Sequence, residues 1–314
     1  MSSGSPTSVQ TGFEGLANYL EALEGNYRAC LDHVDHELEI DGVKAVLRFH
    51  HPKFDANGVP KFEALATALA NHIISYCIES TKRPESFGPA EGARLYRQAR
   101  DLFRKQDESG EAGELLLYFL LETVLKVPQV VCKMSLKTNR NEEVKGSDGI
   151  HIGYDSQDDC LVLYLGEAKL YQEYGAALKD AFASIQALHD QDQTGYEISL
   201  VTSHYKHLSD EMQERVCQYL DATDPTGDYK ICRACLIGFD WTRYSALTTE
   251  KRAKFVDKFK YEYLKHCQKL RDKTGKLLET YPYRHMTFEI FFIPFVSVGD
   301  CRKAFKKTLL GGED

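Results

Sequence analysis

Three charged side chains, Asp148, Glu167 and Lys169, stand at the two ends of "GSDGIHIGYDSQDDCLVLYLGEAK" (146–169). Two runs of β-forming residues flank an acidic turn in this stretch, which predicts a hairpin. If the strands pair about Gln157–Asp158, residues equidistant from that point face each other. Ile150 then meets Leu165, Ile152 meets Leu163 and Tyr154 meets Leu161. Side chains alternate along a strand, so these six share one sheet face, and its uniform apolarity supports the register. The same register sets Asp148 opposite Glu167, with Lys169 two residues further along that face.

Two carboxylates this close repel unless a cation neutralises them. A small number of hard oxygen ligands suits Mg²⁺, which also takes phosphates and water; Mn²⁺ could substitute. Such an ion activates water and polarises a phosphate. The backbone carbonyl of Ala168 is a further candidate ligand. Lys169 would orient the attacking water and stabilise charge developing on the phosphorus centre. The plainer reading is a solvated salt bridge, worth under ~1 kcal/mol, and a bare E-x-K is weak as a motif. Asp148 at the matching hairpin position sets this tripeptide apart.

The elements around the hairpin must hold these groups in place. Strands are expected at 42–51, 129–138, 196–203 ("YEISLVTS"), 229–240 and 286–298, the last bent or placed at an edge by Pro294. Helices are expected at 60–80, 91–106, 114–126, 171–190, 208–221 and 249–276. The nearly apolar "ELLLYFLLETVLK" (114–126) reads as a buried helix. Strands interleaved with helices around one hairpin predict an α/β fold with a mixed sheet. Residues 1–12 read as a disordered lead-in, 13–110 as a mostly helical N-terminal elaboration and 111–314 as the core with a C-terminal extension, all in one continuous globule.

Composition narrows the function classes. The 314 residues are 43% hydrophobic and 27% charged, a globular balance. No apolar run approaches the ~18–20 residues of a membrane helix. "MSSGSPTSVQTGFEG" lacks the basic and apolar blocks of a signal peptide. The nine cysteines show no framework spacing, so reduced thiols and a cytoplasmic location are expected. The net charge of −8 leaves room for only a local basic footprint on nucleic acid.

Asp148 followed by "GEAK" resembles the D…E-x-K signature of the PD-(D/E)xK nucleases, whose restriction-endonuclease-like core is a mixed sheet flanked by helices. The wider set "GELLLYFLLE" (113–122), "VCKMSLKTN" (131–139), "GSDGIHIGY", "LGEAKLY", "CLIGFDW" (235–241) and "FFIPFVSV" (291–298) resembles the HamA family, the nuclease subunit of the two-gene Hachiman anti-phage defence systems of bacteria. The resemblance spans roughly residues 40–300. It implies Mg²⁺-dependent DNA cleavage and a HamB-like helicase partner that restrains the nuclease. It implies Asp148 and Glu167 as metal ligands and Lys169 as the catalytic lysine. Many superfamily members add a glutamate from the first core helix; Glu114 is the match, with Glu111, one turn earlier, as the alternative. "SDG" replaces the usual "PD".

Lys133 and Lys137, placed on the strand before the site, are candidate DNA contacts, as is Lys179. The segment 251–276 holds ten Lys/Arg against three Asp/Glu. Phe255, Phe259 and Tyr263 form a stripe that would dock it on the core, with the basic face solvated or set against DNA or an acidic partner. Cys232 and Cys235 point to opposite faces of a strand and make a poor zinc pair. His204 and His207 read as a solvated loop pair and His151 as a packing residue. Two functions compete with the nuclease: an inert nuclease-fold scaffold or DNA-binding subunit, which the complete Asp148, Glu167 and Lys169 set opposes, and an unrelated α/β enzyme, for which no glycine-rich phosphate loop or G-x-S-x-G is present.

Overall fold

The computed structural model describes residues 13–34, 38–40, 43–104, 110–137, 146–191, 193–203, 208–221, 223, 229–247, 250, 252–283 and 285–311. The lead-in over 1–12, most of the polar loop over 139–146 and the pair His204 and His207 lie outside them. The strands are β1 (Leu31–His33), β2 (Leu38–Glu39), β3 (Ala45–Pro52), β4 (Gln129–Val131), β5 (Ile150–Asp155), β6 (Cys160–Tyr171), β7 (Tyr229–Asp240) and β8 (Thr287–Phe295). The helices are α1 (Glu24–Cys30), α2 (Phe62–Ala70), α3 (Ile73–Cys77), α4 (Pro89–Arg100), α5 (Glu111–Leu120), α6 (Tyr174–Asp190), α7 (Gln193–Ser203), α8 (Asp210–Leu220), α9 (Arg243–Leu247), α10 (Arg252–Glu279) and α11 (Val298–Leu310).

One mixed sheet runs β1-β3-β8-β7-β6-β5-β4, and β2 also pairs with β3. β3, β8, β7 and β6 are parallel neighbours, while β5 and β4 are antiparallel. The fold is therefore mixed α/β, as the strand and helix order predicts. Helices cover both faces. On one, α2, α5 and α11 pack over Ala168, Leu170, Leu236 and Phe291. On the other, α6 and α10 cover Ile237, Phe239 and Phe292, and α7 and α8 cover the hairpin. The segment 13–110 supplies α1–α4 and also β3, an integral strand of the sheet.

Three local expectations are corrected. "YEISLVTS" is helical, within α7. Its apolar residues alternate, but Glu197, Leu200 and Val201, at helical spacing, are the buried ones, so packing overrode β propensity. The run 129–138 is a strand only to Val131; a tight turn over Lys133–Leu136 follows, so Lys133 and Lys137 do not share a pleat. Pro294 is not at a sheet edge, because β8 lies between β3 and β7. It falls beyond Phe288–Phe292, the residues paired with β3, where its missing N–H interrupts no ladder. The final strand ends at Phe295, and the unforeseen α11 begins behind Ser297, whose hydroxyl accepts the Asp300 N–H. That Ser-x-x-Asp spacing is a helix-start signal.

The hairpin register is as expected: Ile150 pairs with Leu165, Ile152 with Leu163 and Tyr154 with Leu161. Past Ile150 the ladder becomes irregular: Asp148 and Gly149 both bond Gly166, so the expected in-register pairing of Asp148 with Glu167 is not made. Asp148 N–H donates to the Gly166 carbonyl at 2.7 Å, and Gly166 N–H to the Gly149 carbonyl at 2.8 Å. A Cβ on Gly166 would lie 2.9 Å from Leu117 and 3.3 Å from the Gly149 nitrogen. Gly166→Ala is therefore expected to cost about 1–3 kcal/mol by overpacking. Urea denaturation checks this; an unchanged midpoint would mean that α5 and the hairpin yield freely.

Candidate active site

β6 is twelve residues long, but β5 pairs with it only from Cys160 to Leu165. Gly166 still bonds Asp148 and Gly149 there; beyond it the β5-side edge of β6 is met by side chains instead of a strand, with Arg302 donating to the Leu170 carbonyl at 2.8 Å. Asp148, just ahead of β5, covers the start of that edge, and its carboxylate accepts the Ala168 N–H at 2.7 Å. In a strand the N–H and C=O of one residue point to the same side. The Ala168 carbonyl thus emerges beside Asp148.

Glu167 and Lys169 project from β6 toward α6. Lys169 Nζ lies 3.0 Å from Glu167 and 3.1 Å from Asp180. Asp180 also accepts a 2.6 Å hydrogen bond from Tyr171, and Ser184 hydrogen-bonds Glu167. Burial alone would lower the Lys169 pKa, but the two carboxylates outweigh it and hold the ammonium firmly protonated. Asp180, Ser184 and Tyr171 escape the sequence reading. Only the return of α6 over β6 brings Asp180 to the lysine and Ser184 to Glu167.

The first turn of α5 rests on the same strand end. A Cβ on Gly113 would be 3.2 Å from Leu170 and 3.4 Å from Ala168. This contact brings Glu114 into the charge field of Asp148. Burial raises the Asp148 pKa well above the carboxylate range, and the charges of Glu114 and Glu167 add to it. Burial, with Glu111 second, pushes Glu114 up to about 7. Glu167 is raised as well, mainly by burial. Glu111 has other partners: its carboxylate takes the Arg104 N–H at 2.7 Å and the Lys137 ammonium. Of the two helical acids, Glu114 is therefore the one whose charge bears on Asp148.

Lys133 is buried, and its ammonium donates to the Ser147 carbonyl. Lys137 is engaged by Glu111, and Lys179 is exposed on α6 beside Asp180. Cys232 and Cys235 enter different core clusters, as their spacing requires. His151 is fully buried, with its ring 5.9 Å from Tyr118 and Nδ1 2.9 Å from the Val127 carbonyl. Phe255, Phe259 and Tyr263 dock α10.

The raised carboxylates have a consequence for stability. Between about 4.5 and about 7, folded Glu114 holds a proton that the unfolded chain has released. Its contribution to stability therefore falls as pH rises through that window. Glu114→Gln is expected to gain stability relative to the wild type from pH 5 to pH 8. Paired melting curves measure the gap; a gap that does not change with pH would show that Glu114 titrates normally.

The donors Glu114, Asp148, Glu167 and the Ala168 carbonyl could hold a cation. Among the described residues no three His, Cys, Asp or Glu side chains close into a metal cage. The set suits a hard ion that keeps several waters and does not suit a closed four-ligand zinc site.

The mixed sheet and this half-buried cluster define an α/β protein with a carboxylate–lysine site at the carboxyl end of a central strand. The chain belongs to the HamA family, which it matches over residues 27–309. HamA is the Hachiman defence subunit, and membership supports a role in anti-phage defence. No curated protein matches the chain. Among the described residues no helix is long and apolar enough to cross a membrane.

Proposed function

We propose that this chain is a Mg²⁺-dependent DNA nuclease, the effector of a Hachiman complex with a HamB-like helicase. The observation that carries the reading is the gathering of Asp148, Glu167 and Lys169, with Glu114 adding its charge, at the carboxyl end of β6. Asp148 and Glu167 would hold the metal, with Glu114 and the Ala168 carbonyl beside them. When bound, the metal supplies Lewis acidity toward phosphate and an activated water. Lys169, kept protonated and aimed by Glu167 and Asp180, stabilises negative charge on the scissile phosphate and orients the water. Tyr171 fixes Asp180 and, through it, the lysine. Ala168 N–H holds the Asp148 carboxylate at the edge.

The test is cleavage of supercoiled plasmid by the purified chain, alone and with its co-expressed helicase. Nicked or linear product with Mg²⁺ or Mn²⁺, abolished by EDTA, supports the reading; identical cleavage in EDTA sinks it. The net charge of −8 implies weak DNA binding by the chain alone, because counterion release drives non-specific affinity. The helicase would then deliver the substrate. Failure of the two chains to co-purify would argue against that partnership.

A further inference from the structure

Lys133, Glu197 and Arg233 are charged, 6%, 1% and 1% exposed respectively, and unused by the chemistry above. Two of them converge on the residue just before Asp148. Glu197, on α7, accepts the Ser147 N–H. Lys133, in the turn after β4, donates to the Ser147 carbonyl. Both backbone polar groups of one residue are thus gripped by buried, oppositely charged side chains. Gly146 makes room for the grip: its φ is +96°, and a Cβ there would lie 3.1 Å from both Glu197 Oε1 and Lys133 Nζ. Arg233 on β7 lies 3.7 Å from Glu197 and donates to Thr194 at 3.3 Å. The next residue, Asp148, is held by its own N–H on Gly166 and by its carboxylate on Ala168 N–H.

Buried ions are costly to desolvate, and apolar residues of similar size often stabilise a fold better. Two such ions on the peptide groups either side of Ser147, with the third held against one of them, therefore point to a positional role. We propose that Glu197 and Lys133 are positioning residues that clamp Ser147 and thereby fix the direction of the Asp148 carboxylate, with Arg233 holding Glu197 in place. The clamp deepens the nuclease reading and rests on it for the role of Asp148. It brings α7 and the turn after β4 into the site, although neither supplies a group that touches substrate.

The test compares two double variants. Glu197→Gln/Arg233→Met keeps an acceptor for Ser147 N–H, and Glu197→Ala/Arg233→Met removes it. Both lose the ion pair, so their difference isolates the grip on Ser147. Mn²⁺ affinity by calorimetry is expected to stay near wild type in the first and to fall about 10–100-fold in the second. In the second, kcat should drop while KM for DNA holds. Metal-free hydrogen exchange in a peptide covering 146–150 should speed up only in the second. Lys133→Met should match it and decides the matter if the double variants do not fold. Equal exchange and equal Mn²⁺ affinity across all three variants and the wild type would overturn the clamp. A wild type that neither binds Mn²⁺ nor cuts DNA would defeat the nuclease reading instead, and the exchange comparison would still decide whether the clamp exists.

Discussion

Glu167→Ala and Lys169→Ala are each expected to lower DNA cleavage by at least about 100-fold, with circular dichroism unchanged. The magnitude follows from what each group does. In the proposed reading Glu167 is one of the metal's carboxylate ligands, and without it the remaining donors would hold the ion loosely. Lys169 is the cation placed beside those carboxylates, and in the proposed reaction its charge would stabilise the transition state more than the ground state. The fold should tolerate both changes. Removing Glu167 leaves Lys169 paired with Asp180 at 3.1 Å, and removing Lys169 leaves Glu167 its bond to Ser184. Asp180→Asn should produce a milder loss, because it loosens the lysine without removing it. Full activity in both alanine variants, with the fold intact, would mean that this cluster is not the active site.

Glu197→Ala alone is expected to destabilise the protein by about 3–5 kcal/mol, because it strands the Arg233 guanidinium inside the fold. Arg233 is 1% exposed, and its Nε and Nη1 atoms have no hydrogen-bond partner among the described residues. The Glu197 charge 3.7 Å away is thus its main compensation. Arg233→Met in the same chain should recover a large part of the loss, since no unpaired charge then remains. Urea unfolding of the two single variants and the double variant gives the coupling as a cycle. Additive losses would show that Arg233 is neutralised by some other group.

The split between these two predictions follows how far apart in the chain the interacting residues lie. The hairpin is local. Its turn and the alternation of Ile150, Ile152, Leu163 and Leu165 set the register with no help from the rest of the molecule, so the sequence suffices to bring Asp148 near Glu167 and Lys169. Glu114 was visible as a candidate, but its choice over Glu111 needed the packing of α5 on β6 and the prior engagement of Glu111 by Arg104 and Lys137. Lys133 was a candidate DNA contact beside the site because a strand was expected there. The chain instead turns at Lys133–Leu136 and buries the ammonium under Ser147.

Composition and apolar periodicity by themselves determined the mixed α/β class, the buried α5 and the hairpin register from Ile150–Leu165 to the turn, because each depends on neighbours a few residues away. Only the tertiary structure decided the surroundings of Asp148 and Glu167. Glu197 was hidden in a segment whose alternation imitated a strand, Asp180 lay on a helix face of no evident charge pattern, and Arg233 sat in an apolar strand. Burial supplies the reason. The cost of a charge depends on which distant elements close over it, and that geometry is set by packing across the whole sheet rather than by adjacent residues.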